Sequence, residues 1–127
     1  MKAELTLDGS RKAIKILDFD YGFTQYIDET GKPSGFPTGG TINFVLEPKE
    51  GDTQIIDWMI SPKGTKNGKI QLFLKKTREI KFKNAICIQY HESFSHVGDE
   101  QPTSVSITIS AESITVDGIQ FETKRKA

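Results

Sequence analysis

The sequence predicts a mainly β protein, a single closed or nearly closed antiparallel β-barrel with one short flanking α-helix. Apolar and polar residues alternate over most of the chain, which is the period of half-buried strands. Only one short stretch, around Trp58, shows helical spacing instead. The 127 residues are enough for one domain, residues 1–127, to bury a core. Closure into a barrel is favoured because it removes the exposed edges of seven or eight strands.

Two strands and a long loop come first. Residues 3–7 alternate and end at an Asp-Gly-Ser turn, and a second strand is predicted over residues 13–27. The apolar face of this second strand switches after Ile16, which predicts a bend or bulge. Four glycines and two prolines in residues 28–40 predict an exposed loop. Alternation resumes at Ile42 in a third strand.

The single helix is predicted between Asp52, which can cap its first turn, and Pro62, which ends it. A helix of two to three turns is too short to be stable by propensity, so we expect its apolar residues to pack on the barrel. Those residues recur at helical spacing around Trp58 and are Ile55, Ile56, Met59 and Ile60.

The second half of the chain returns to alternation. Strands are predicted over residues 69–75 and 79–91. Five residues of the second of these are expected on one face: Ile80, Phe82, Ile86, Ile88 and Tyr90. Residues 104–111 alternate most regularly, and the Asp-Gly pair at residues 117–118 predicts a two-residue hairpin between the last two strands.

Charge is balanced overall but not locally. The 17 basic and 17 acidic residues cancel, so the chain has no global field that would attract nucleic acid or an anionic membrane. Residues 63–83, however, contain eight basic residues and one acidic residue, and residues 84–123 contain six acidic residues and no basic ones. This pattern fits either two solvated faces or a contact between a positive and a negative face of neighbouring copies.

No catalytic, cofactor or metal site is predicted, so the chain is not expected to be an enzyme. Cys87 and His91 are expected on the same strand face about 13 Å apart, whereas a nucleophile and its base must lie within about 3 Å. The single cysteine can form neither an intrachain disulfide nor a zinc set of the usual spacing. The glycine-rich loop lacks the P-loop pattern.

No export or membrane signal is visible in the sequence. The first 20 residues contain no apolar stretch of signal-peptide length, and no apolar run approaches the roughly 18 residues that span a bilayer. If the protein leaves the cell, we expect a dedicated machine to carry it out.

A series of motifs in fixed order resembles a known family over more than 110 residues. The series consists of KAELTLDG at residues 2–9, DYGF at 20–23, the loop DETGKPSGFPTGG, the strand TINFVLE, Trp58-Met59, and YHESFSHVGDEQPTSVSITISAESITV. This order is similar to that of the tube protein of the type VI secretion system, the haemolysin-coregulated protein (Hcp) family, in its Bacteroidota form.

The resemblance implies an Hcp-like barrel that closes into hexameric rings, which stack into a tube expelled by a contractile sheath. The implied partners are further copies, the sheath, spike and baseplate proteins, and small effector proteins in the lumen, with no nucleic acid and no membrane insertion. The protein would be cytoplasmic and then secreted without a signal peptide. The alternatives are a tube protein of a phage-tail-like contractile injection system and a monomeric ligand-binding β-barrel.

Three surfaces are candidates for assembly. The loop after the second strand is implied to make the ring-to-ring contact, with Phe36 as anchor, although a flexible hairpin connection is the alternative; its candidate residues are Asp28, Lys32, Pro33, Phe36 and Pro37. The candidate subunit interface consists of Lys81, Lys83, Glu92 and Glu112. A small, uncharged hydroxyl face would suit a lumen wall or a plain solvent-facing strand, and consists of Ser104, Ser106, Thr108 and Ser110.

Overall fold

Eight strands and one helix make up the part of the chain that the computed structural model describes, which is residues 2–10, 12–25, 27–32, 39–47, 52–61, 64–94 and 103–122. In chain order the elements are β1 (Lys2–Leu7), β2 (Ile14–Tyr21), β3 (Thr41–Glu47), α1 (Gln54–Ile60), β4 (Lys66–Phe73), β5 (Arg78–Phe94), β6 (Thr103–Ser110), β7 (Ser113–Val116) and β8 (Ile119–Glu122).

The strands form one antiparallel sheet in the order β4-β1-β2-β3-β6-β5-β7-β8. Because β4 also pairs with β5, six of these strands close into a barrel, and the β7–β8 hairpin is attached outside it along the first half of β5. The predicted fold class is therefore confirmed. The hairpin turn at Asp117 and Gly118 has positive φ values of 47° and 91°, as an Asp-Gly turn of this type requires.

The barrel interior is filled by the inward residues of the alternating strands. Eight large side chains of the barrel strands are essentially inaccessible to solvent, as is Ile114 of β7: Leu5, Ile42, Phe44, Leu46, Ile70, Ile80, Phe82 and Ile109. Burial of a side chain of this size stabilises the folded state by about 1.5–3 kcal/mol relative to exposure. Burial alternates along β1, β3 and β6, as the sequence predicts for these strands.

The expected irregularity in β2 is a bulge at Leu17. The register against β3 shifts between Ile16 and Asp18, so Leu17 is an extra residue and is 48% exposed. An extra residue changes which side chains of a strand point inward. Phe19 and Tyr21 consequently pack on the same core as the residues before the bulge.

β5 has two irregularities that the sequence did not reveal. The register against β4 shifts near Asn84, whose φ is 50°, and the register against β6 shifts at Ile88. The expectation that Ile86 and Ile88 share the inward face of Ile80 is therefore wrong, and Ile88 is 50% exposed. The inward positions along β5 are Ile80, Phe82, Ala85, Cys87 and Tyr90.

The helix packs on the barrel through fewer residues than predicted. Ile55 and Trp58 are buried and Met59 is partly buried, whereas Ile56 and Ile60 face solvent. The indole nitrogen of Trp58 donates to the backbone oxygens of Gly64 and Ala85, at 3.1 and 3.2 Å. The contribution of Asp52 is a hydrogen bond from the Gln54 amide to its carboxylate at 3.1 Å, just before the helix.

Candidate assembly surfaces

One wall of the barrel, formed by β2, β3, β6 and β5, has a polar outer face. The predicted hydroxyl row of β6 lies on this face, because the residues between its members are buried in the core. The row consists of Ser104, Ser106, Thr108 and Ser110, of which Ser106 is the most open to solvent. We call this surface the polar wall.

A chain of polar side chains crosses the polar wall at one level. Asp20, Asn43, Thr108 and Gln89 are in register on the four neighbouring strands. The Asn43 amide donates to Asp20 Oδ1 at 2.9 Å, and the Thr108 hydroxyl donates to Asn43 Oδ1 at 2.8 Å and lies 3.3 Å from Gln89 Oε1. These contacts hold the polar side chains against the wall.

The two side edges of the polar wall are open. In the described part of the chain, no strand pairs with the outer side of β2 beyond Lys15, or with the outer side of β5 from Ile86 onward. Three antiparallel steps separate these edge strands, so they run in opposite directions. Each edge carries a bulge with an exposed apolar residue, Leu17 on β2 and Ile88 on β5.

A small cleft lies beside the bulge on β2. It has a volume of about 330 Å³, and its apolar lining is Ala3, Ile16, Leu17, Phe19 and Leu72. Lys2 and Asp18 add one charge of each sign to its lining. A cleft of this size can receive an apolar side chain of a neighbouring molecule.

The four candidate interface charges lie at two places on the surface. Lys81 and Lys83 lie on the first half of β5, and the Lys81 ammonium is 3.4 Å from the carboxylate of Glu79. Glu112 lies beside Lys83 in the same chain, since its amide donates to the Lys83 carbonyl at 3.0 Å. Glu92 is nine residues beyond Lys83 on β5, which corresponds to roughly 30 Å along a strand. The structure therefore separates Glu92 from the lysines and brings Glu112 next to them.

Part of the candidate stacking loop is a hydrogen-bonded turn built on Asp28. Its carboxylate Oδ1 accepts hydrogen bonds from the Thr30 amide, the Thr30 hydroxyl and the Lys32 amide at 2.9, 2.7 and 3.0 Å. These bonds, first of all that from the Thr30 hydroxyl, lower the pKa of Asp28 below its usual value. The turn is thus fully stabilised above the unfolded pKa and loses this stabilisation as the pH falls through the lowered one. Pro33, Phe36 and Pro37 lie outside the described residues.

Cys87 and His91 do not form a reactive pair. The bulge at Ile88 places Cys87 in the core and His91 on the polar wall opposite Ser106, so the expectation that the two share a face is wrong. Burial raises the pKa of the Cys87 thiol, which disfavours the thiolate that a nucleophile needs. Within the described ranges, no group of three or more potential metal-ligating side chains occurs, and no helix is long and apolar enough to cross a bilayer.

Several residues of these surfaces could not be identified from the sequence. Asn43 and Gln89 join the polar wall because of their cross-strand neighbours, which depend on register. Leu17 and Ile88 become exposed only because of the two bulges. The switch of the apolar face in β2 indicated the bulge at Leu17. Around Ile88, by contrast, apolar residues continue at every second position, so the sequence gives no sign of the bulge there.

Comparison with known proteins identified relatives over nearly the whole chain. The family model described as hemolysin coregulated protein Hcp (TssD) matches residues 1–124. The structure is similar to that of Hcp1 from Flavobacterium johnsoniae, with a TM-score of 0.83 and 31% identity over 96% of this chain and 99% of that chain. A search of curated protein sequences found no match.

More distant structures share the fold. Hcp2 from Salmonella typhimurium has a TM-score of 0.71 and 10% identity over 100% of this chain and 99% of that chain. A chain of the sheath–tube complex of PVC, an extracellular contractile injection system, has a TM-score of 0.54 and 16% identity over 92% of this chain and 88% of that chain.

Proposed function

We propose an assembly for this chain, which belongs to the hemolysin coregulated protein (Hcp, TssD) family. The chain is a tube subunit of the type VI secretion system. Copies close head to tail into a hexameric ring, and rings stack into a tube that a contractile sheath expels to deliver effectors into neighbouring cells. The observation that carries this proposal is the polar wall with its two open edges.

The two edges favour a ring because they are different surfaces. A contact between the β2 edge of one copy and the β5 edge of the next is heterologous, and such contacts generate a ring when the rotation closes. Because the two edge strands run in opposite directions, copies of the same orientation place the β2 edge and the β5 edge antiparallel across the contact. We propose that Ile88 of one copy packs into the cleft beside Leu17 of the next.

Charged residues add to the proposed subunit interface. Lys81 and Lys83 of one copy would meet acidic side chains of the next, foremost Glu92, which lies at the far end of β5. Glu112 remains part of this interface through its place beside Lys83. Charges at the rim of an interface mainly guide association and fix its register.

A charge reversal tests the ring and its interface. The wild-type protein is expected to form rings without metal or nucleotide, visible by light scattering as multiples of 14.2 kDa. Lys81→Glu with Lys83→Glu should weaken these rings, more at low salt than at high salt, because the Debye length is about 8 Å at physiological ionic strength. The matched control is Lys75→Glu with Lys76→Glu in the turn before β5, which should leave the rings intact. A wild-type monomer throughout the micromolar range would contradict the ring, and wild-type behaviour of the Lys81 and Lys83 variant would leave the charges as solvated faces.

The polar wall is proposed to line the lumen, where a small and uncharged hydroxyl row suits the passage of cargo. Ser106→Cys in a Cys87→Ala background should react slowly with a bulky maleimide in assembled tubes and rapidly in dissociated subunits. A small maleimide serves as the control, since it should reach the introduced cysteine both in tubes, by diffusion into the lumen, and in dissociated subunits. Equal bulky labelling in the two states would place Ser106 on the outside.

The remaining roles follow from the family and are part of the same proposal. The family consists of structural tube proteins that the type VI system secretes. We propose that this chain likewise has no catalytic activity, is held in the cytoplasm until firing, and contacts the sheath, spike and baseplate proteins and small effectors in the lumen. The fold shared with the PVC tube chain also fits a contractile injection system of the phage-tail type as the alternative.

A further inference from the structure

The C-terminal strand β8 contacts the chain where it leaves the barrel after β2. The rings of Phe23 and Phe121 have centroids 4.6 Å apart and are tilted by 49°. Phe23 also contacts Tyr21 at the end of β2, with ring centroids 5.9 Å apart in an edge-to-face arrangement. Since β8 pairs only with β7 among the described strands, this ring contact ties an element outside the barrel to the segment that leads from β2 into the loop.

The end of the loop lies at the same place. A Cβ atom at Gly39 would lie 2.6 Å from Cδ1 of Phe23, so only glycine allows this close approach. The next residue, Gly40, has a φ of 95°, and its carbonyl accepts a hydrogen bond from the Ala111 amide at 2.7 Å. Ala111 lies between β6 and β7. The segment that leads into the loop therefore contacts β8 through Phe23, and the end of the loop contacts Ala111 just before β7.

The contact at Phe121 is specific to one residue of β8. Phe121 is partly buried, whereas its strand neighbours Ile119, Gln120 and Glu122 are exposed, and Ile119 is 79% exposed. The described contacts of β8 beyond β7 thus centre on the Phe121 ring. This arrangement is expected of a strand that holds a neighbouring segment in place rather than of a strand that completes the core. We call the contact of Phe121 with Phe23 the clamp.

We propose that the β7–β8 hairpin positions the loop for ring stacking, with Phe121 holding Phe23 against Gly39. The hairpin fixes the direction in which residues 27–32 leave the barrel, and so presents the Asp28 turn in one orientation. Phe121 is a positioning residue, since it acts through Phe23. This inference rests on the proposed function for its effect on stacking, but the clamp itself can be measured without tubes.

Hydrogen exchange of unstacked protein tests the clamp. In Phe121→Ala, the peptides covering residues 21–32 should exchange about 10-fold faster, because local opening becomes easier, while those covering α1 remain unchanged. Phe121→Leu should restore most of the protection, since it returns an apolar side chain to the same place. Ile119→Ala on the same strand should exchange like the wild type.

Tube formation by the same variants, viewed by electron microscopy, tests the consequence. Phe121→Ala should form rings but few tubes, and Phe121→Leu should regain them. Unchanged exchange at residues 21–32 in Phe121→Ala would overturn the inference, as would faster exchange with normal tubes. If the wild type formed no tubes at all, the proposed function would fail, and the exchange result would still decide whether the clamp exists.

Discussion

Replacement of Trp58 by alanine is expected to lower the free energy of unfolding by about 3–5 kcal/mol, the range for a large buried aromatic residue. Trp58 is 2% exposed, and its ring lies parallel to that of Phe82, with centroids 6.4 Å apart. The one other buried residue of α1 is Ile55. Because a helix of seven residues is not stable alone, loss of Trp58 should also release α1 from the barrel.

Urea denaturation of the single ring measures this effect, and two variants separate its causes. Trp58→Phe retains a ring against Phe82 but removes the donor to Gly64 and Ala85, so it should cost about 1–3 kcal/mol. Ile60→Ala, on the solvent face of the same helix at 71% exposure, should change stability by less than about 0.5 kcal/mol. Because alanine has a higher helix propensity than isoleucine or tryptophan, a loss in Ile60→Ala equal to that in Trp58→Ala would contradict the indole contact as the main anchor of α1.

Substitution of Phe36 by aspartate is expected to abolish stacked tubes and secretion while leaving single rings intact. We propose that Phe36 anchors the loop in a pocket of the next ring, and a carboxylate there would have to be desolvated without a partner. Pro33 and Pro37 restrict the unbound loop, which lowers the cost of ordering it on docking. The turn on Asp28 adds further order before contact. The barrel core lies elsewhere, so the ring should persist.

Electron microscopy of the assembled protein distinguishes Phe36 from the loop as a whole. Normal tubes formed by Phe36→Asp would remove Phe36 as the anchor, and normal tubes after deletion of residues 32–37 would remove the loop. The control is Ile119→Asp, which places the same charge at an exposed apolar residue of β8 and should leave tubes unchanged.

Strand alternation made the barrel predictable, because burial of one face leaves a period of two in the sequence. It located β1, β3 and β6, and the face switch after Ile16 announced the bulge at Leu17. The same rule failed in β5, where bulges near Asn84 and at Ile88 change the inward side. Apolar residues continue at every second position around Ile88, so alternation gives no sign of that bulge. In α1, helical spacing could not separate the residues that pack from Ile56 and Ile60, which face solvent, since the barrel surface under the helix decides which residues are buried.

The candidate assembly surfaces were predictable only where one strand contains them. The hydroxyl row of β6 follows from simple alternation, and the structure places all four members on one face. The hydrogen bonds that join this row to Asn43 and Gln89 depend on cross-strand register. The same holds for the neighbourhood of Glu112 and Lys83, which are distant in sequence and adjacent in the fold.

The bulges at Leu17 and Ile88 also bear on what happens to copies that have not yet assembled. An exposed regular edge invites main-chain pairing with any other strand and so promotes fibril growth, whereas an irregular edge interrupts such a ladder after a few residues. Bulges on both edges of the polar wall therefore protect newly made copies from uncontrolled polymerisation. In the proposed ring, a contact through side chains at these edges would let copies separate without unzipping a continuous sheet.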